Sequence, residues 1–67
     1  MRTEVNARLA GSSSIIGEEQ NSFIVALKEY DDNTYDVIVT QNNAITFMET
    51  YNNLQEAEEV FREKSRG

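Results

Sequence analysis

The chain has 67 residues, with six Lys and Arg against 12 Asp and Glu, a formal charge of −6, and no His, Cys, Trp or Pro. A length of this order makes one small domain with a thin core; without cysteine there are no disulfides or thiolate metal sites, and without histidine the commonest metal ligand and general base are missing. No apolar run nears the roughly 20 residues of a membrane span, and the opening MRTEVNARLAG lacks the apolar centre of a secretory signal, so a cytoplasmic protein is expected.

Leu, Ile, Val and Phe make up 16 of the 67 residues, more than disordered chains carry, so the chain is expected to fold. Of the staples that small domains use, oligomerisation is the one this composition leaves. The excess negative charge is concentrated in the middle: residues 23–53 hold Lys28 against Glu29, Asp31, Asp32, Asp36 and Glu49. An acidic field of this kind repels phosphate backbones and attracts basic protein surfaces.

Residues 1–22 are expected to form an N-terminal strand and a Ser/Gly-rich loop. In TEVNARL, Thr3, Val5, Ala7 and Leu9 alternate with Glu4, Asn6 and Arg8, the period of a half-buried strand. AGSSSIIGEEQNS reads as a loop on its glycines and serines. Ile15 and Ile16 interrupt it. Either one of them plugs the edge of the core, or the pair is an exposed contact for another chain.

Residues 23–51 read as an antiparallel meander. FIVALKEY places Phe23, Val25 and Leu27 on one face and Ile24, Ala26, Lys28 and Tyr30 on the other. DDNT is a turn in which Asn33 is the residue best suited to positive φ. YDVIVTQ returns with Tyr35, Val37 and Val39 opposed to Asp36, Ile38 and Thr40, completing a hairpin. Asn42–Asn43 is a second tight turn, since asparagine tolerates the left-handed region. AITFMETY follows as a strand, with Ile45, Phe47, Glu49 and Tyr51 on one face.

Residues 53–65 read as a helix. Asn53 is an N-cap with Glu56 at capping-box spacing. Leu54, Ala57, Val60 and Phe61 form one apolar stripe. Acidic residues crowd the first turns and basic ones the last, complementing the helix dipole. Glu58 and Arg62 are spaced for an i,i+4 pair, and Gly67 stands where a C-cap could lie.

The predicted fold is therefore α+β: a three- to four-stranded antiparallel sheet with one C-terminal helix packed on one face. Leu54, Val60 and Phe61 would pack on Val25, Leu27, Val37, Val39, Ile45 and Phe47. The other sheet face holds Ile24, Ala26, Tyr30, Ile38 and Met48, which the same helix cannot cover. Strand 1 with the Ile15–Ile16 loop could fold over it, the chain could self-associate through it or through a sheet edge, or a foreign protein could dock there.

The chemistry points away from catalysis. The carboxylates fall at turns and on the helix surface, where water holds them, and Ser12–Ser14 have no base in view. Neither a phosphate-cradling glycine motif nor a complete calcium loop is present, so no cofactor and no metal are expected. Six basic residues make no stripe for nucleic acid. What remains is a protein target. Tyr30, Asp31, Asp32 and Asp36 cluster at the hairpin tip as a contact for a basic protein surface. Ile15, Ile16, Ile24, Ile38 and Met48 are the candidates for apolar contact or self-assembly.

The stretch Phe23–Lys64 resembles the small acidic proteins encoded by bacteriophages and prophages of Gram-positive bacteria: tiny, rich in Asn, Gln and Glu, free of Cys, with a hairpin followed by YNNLQEAE. That resemblance implies an inhibitor that binds and blocks a host protein, as an anti-defence or host-takeover factor in the host cytoplasm. Tyr35, Val37, Val39, Leu54, Glu56 and Ala57 also match the strand–helix pattern of HicB-type antitoxins, whose Pro-Asp-Leu-Pro-Gly turn has no counterpart here. The expected function is a non-enzymatic, homo-oligomeric binding module of the inhibitor type. One alternative is an oligomeric sponge for a small nucleotide signal, for which Arg2, Arg8 and Lys28 are the available cations outside the helix end. The other is an antitoxin-like regulator.

Overall fold

The computed structural model describes residues 2–16 and 19–66, with side chains for all of these except 12–16, 19 and 20. Strands β1 (Glu4–Ile16), β2 (Glu19–Tyr30), β3 (Tyr35–Gln41) and β4 (Ala44–Tyr51) precede helix α1 (Leu54–Ser65). The strands form one antiparallel sheet in the order β1-β2-β3-β4. The α+β fold is as the sequence predicts, in its four-stranded form.

The asparagines act where they were expected to. Asn33, Asn42 and Asn43 adopt φ of 64°, 52° and 68°. Successive left-handed residues at Asn42–Asn43 twist a two-residue loop in the sense that adjacent strands require. Asn53 caps α1, its side-chain oxygen accepting the Glu56 N–H at 3.1 Å. Gly67 lies outside the described residues.

One sheet face is covered. Val25, Leu27, Tyr35, Val37 and Val39 form the core with Ala57 of the helix, and Phe23, Phe47, Tyr51, Val60 and Phe61 pack around it. Among the described residues, the largest wholly buried side chains are Val25 and Val37. The thinness of that core follows from the length of the chain. Ala57, the small member of the helical stripe, lets α1 settle close to the strands.

Four local expectations are corrected. The Ser/Gly-rich segment is not a loop: β1 runs through Ile16, and backbone pairing continues from Gly11↔Ile24 to Ile16↔Glu19. Hydrogen bonding across a hairpin outweighs weak strand propensity along it. β2 has 12 residues, which at about 3.4 Å each matches the molecule's 43 Å length. The ribbon therefore projects past β3, whose pairing with β2 begins at Phe23↔Gln41, and past β4, which pairs with β3.

Ile45 is not in the core. Val39 pairs with Phe47 but Thr40 pairs with Ile45, leaving Thr46 as a bulge. One extra residue reverses which face the preceding residues occupy. Ile45 consequently joins Thr40 on the far side of the sheet, 63% exposed. Leu54 sits in the first helical turn, short of the core, and is exposed. Glu58 pairs with Arg8 of β1 at 3.2 Å rather than with Arg62, tying the helix to a strand that lies beyond its apolar stripe.

Candidate functional site: the open sheet face and the hairpin tip

Among the described residues, none covers the face away from α1. The expectation that strand 1 could fold over it is not met, because β1 is an edge strand within the sheet. Register sets out what this face presents. One row across the four strands is Gly11, Ile24, Thr40 and Ile45; the next is Leu9, Ala26, Ile38 and Met48; the third is Ala7, Lys28, Asp36 and Thr50. Leu9 is 72% exposed, Ile45 63%, Met48 56% and Ile24 40%. Ile38 is half-buried among them, and Ala26 is buried at the centre of the second row.

Of the apolar contact residues named from sequence, the structure brings Ile24, Ile38 and Met48 together on this face. Ile15 and Ile16 lie on the projecting ribbon, and their side chains are outside the described residues. Leu9 and Ile45 are the two members that sequence reasoning missed. The alternation of TEVNARL carries the signal for Leu9. For Ile45 no signal exists, since nothing in AITFMETY marks a bulge.

The hairpin tip is rearranged by Arg2. Its guanidinium donates to Asp36 Oδ1 at 2.9 Å and to Thr34 Oγ1 at 3.0 Å, approaches Asp32 Oδ2 at 3.8 Å, and lies 3.8 Å over the Tyr30 ring. Asp36 is 4% exposed and also accepts from Thr50 Oγ1 at 2.7 Å. Burial pushes the Asp36 carboxyl up, but the hydrogen bonds from Arg2 and Thr50 and the charge of Arg2 outweigh it and hold the group below the ordinary carboxylate range. Asp32 accepts from both the Thr34 hydroxyl and the Thr34 N–H, and its carboxyl is held low chiefly by the first of these. Asp31 accepts the Thr3 N–H at 3.0 Å while its own N–H donates to the Thr3 carbonyl.

The four residues read as one acidic contact thus divide. Asp36 is spent on internal bonds that anchor residues 2–3. Asp31 and Asp32 remain exposed at the tip, beside a half-buried Tyr30.

The cations are likewise engaged. Arg2 holds Asp36, Arg8 holds Glu58, and Lys28 holds Glu4 at 3.5 Å. Among the described side chains, those that carry charge on the open face are Arg2, Glu4, Lys28 and Asp36, which cancel. Among the described side chains, the surplus carboxylates lie at the tip and on the helix side. There Glu49, Glu56 and Glu63 surround Tyr51, whose hydroxyl is pushed up first by burial and then by those three charges. A shallow groove of about 380 Å³ on the helix side is lined by Phe23, Val39, Thr46, Phe47, Glu63 and Lys64, with the Lys64 ammonium 4.4 Å over the Phe47 ring.

Comparison of the chain with models of protein families, with curated proteins and with solved structures returned no match.

Proposed function

We propose that this chain is a non-enzymatic protein-binding module whose open sheet face is a contact surface for another polypeptide, and that it acts by occupying a partner protein's surface, as inhibitors of the small acidic phage type do. The observation that carries the proposal is the row Leu9, Ala26, Ile38 and Met48 beside Ile24 and Ile45, an aliphatic band left in water by a helix that covers only the other face. A contiguous apolar patch on so small a domain marks an interaction site. The acidic tip supplies a second, polar contact through Tyr30, Asp31 and Asp32, suited to a basic protein surface.

The nucleotide-sponge alternative draws less support, because an anion reaching Arg2, Arg8 or Lys28 would have to displace the carboxylate each already holds.

The test is affinity capture from bacterial lysate with three baits: wild type, a Leu9→Glu/Met48→Glu variant and an Asp31→Lys/Asp32→Lys variant. Asp36 is left intact, since reversing it would bury a cation beside Arg2. The expected result is one protein retained by wild type and lost from at least one variant, with circular dichroism unchanged. Identical capture by all three, or none by wild type, would refute the proposal.

A further inference from the structure

We infer that the occupant of the open face is a second copy of this chain, packed sheet on sheet about a two-fold axis; the inference rests on the reading of that face as a contact surface. Two observations favour a copy of the same chain over a basic foreign partner, and a third sets how tightly it is held.

The first is charge. The chain carries −6, yet on this face Arg2 balances Asp36 and Lys28 balances Glu4. Among the described side chains a basic partner would find no unpaired carboxylate there and would be drawn to the helix side or the tip instead. A copy of the same face brings no net charge to the contact.

The second is relief. Along the first row large and small side chains alternate as Gly11, Ile24, Thr40, Ile45, and in the next row Leu9 stands beside Ala26. The small Gly11 and Ala26 lie on one diagonal of these two rows and the larger Leu9 and Ile24 on the other. Facing sheets interdigitate when large residues of one meet small residues of the other, at a separation of about 10 Å. A surface carrying both large and small residues offers this to itself.

The third is size. Four strands about 4.8 Å apart and three rows about 7 Å apart span on the order of 400 Å². Two such faces bury about 800 Å², below the roughly 1,200–2,000 Å² of tight complexes. The pair is therefore weak and concentration-dependent.

Sedimentation equilibrium of the full chain from about 10 µM to about 1 mM tests this, at low and at high NaCl. The mass is expected to rise from one chain toward two and to stop there. Salt should favour the dimer, because it screens repulsion between two chains of −6 while the neutral faces lose nothing. Leu9→Glu and Met48→Glu should each return the mass to one chain; both positions are more than half exposed, so the fold should hold. The salt titration of wild type serves as a readout free of any variant.

A single-chain mass at 1 mM in high salt, or a dimer that survives both substitutions, would overturn the inference. The outcomes also separate it from the reading it rests on. A monomer whose face variant loses a captured lysate protein removes the second copy and keeps the binding module. A dimer that captures nothing keeps the second copy and removes the blocking role.

Discussion

Replacing Asp36 by Asn asks what the buried carboxylate does for the fold. The substitution keeps the shape of the side chain and removes its charge, leaving Arg2 and Thr50 facing a neutral amide. Asp36 is 4% exposed and receives two short hydrogen bonds, 2.9 Å from Arg2 and 2.7 Å from Thr50. Hydrogen bonds to a charged group contribute about 1.5–3 kcal/mol net, and the relief of desolvating a carboxylate offsets part of that, so a loss of about 2 kcal/mol is expected. A domain of this length is stable by roughly 3–10 kcal/mol. With a urea slope of about 1 kcal/mol/M, the unfolding midpoint should fall by about 2 M. The pH dependence fixes the cause. The folded-state pKa of Asp36 is depressed, so the stabilisation is complete above the unfolded value near 3.9 and disappears as pH falls through the folded value. Urea titrations of both proteins should therefore differ fully at neutral pH and converge in acid. A difference that stays constant down to about pH 2 would refute the account, as would an unchanged midpoint at neutral pH.

Gly11→Ala should destabilise by about 1–3 kcal/mol in urea unfolding, because Gly11 has φ of 136° and a Cβ there would press on the Phe23 carbonyl oxygen and lie 2.9 Å from Ile24 Cα. Asn53→Ala should lower stability by about 1 kcal/mol by removing the cap on α1, read from the same titration and from reduced helical circular dichroism. Val37→Ala should cost about 2 kcal/mol by hollowing a fully buried position; a cost under 0.5 kcal/mol would show that the sheet and helix collapse into the space. In alkali the raised Tyr51 pKa has the opposite sign to Asp36. The neutral phenol is favoured in the fold, so its stabilisation is present below about pH 10 and lost as pH rises through the folded value. Tyr51→Phe should flatten the alkaline limb of the stability profile.

The parts of this fold that sequence reveals are those set by short-range chemistry. Asn33, Asn42 and Asn43 mark turns because asparagine accepts positive φ, and Asn53 marks a helix start because its side chain reaches Glu56 N–H. Alternation in FIVALKEY and YDVIVTQ separates core from open face correctly. What escaped sequence reading depends on partners far along the chain. Arg2 and Asp36 are 34 residues apart, so a carboxylate that looks solvated at a turn is in fact held inside by the N-terminus. Ser12–Ser14 have the composition of a loop, and only pairing across to residues 21–23 makes them strand. The alternation of TEVNARL gives Leu9 the right period, but its exposure follows from its place on an edge strand, on the face turned away from α1.

The Thr46 irregularity has a consequence for what this molecule shows to its surroundings. In an uninterrupted ladder Ile45 would share a side with Phe47 and strengthen the interior, and a threonine would stand in its place outside. The displacement of a single backbone unit exports one aliphatic group from a chain that has few to spare. A homologous chain with the same residues but no such kink would gain cohesion and lose stickiness. Within this fold, the choice between standing alone and joining another molecule is written in strand alignment as much as in the letters of the strand.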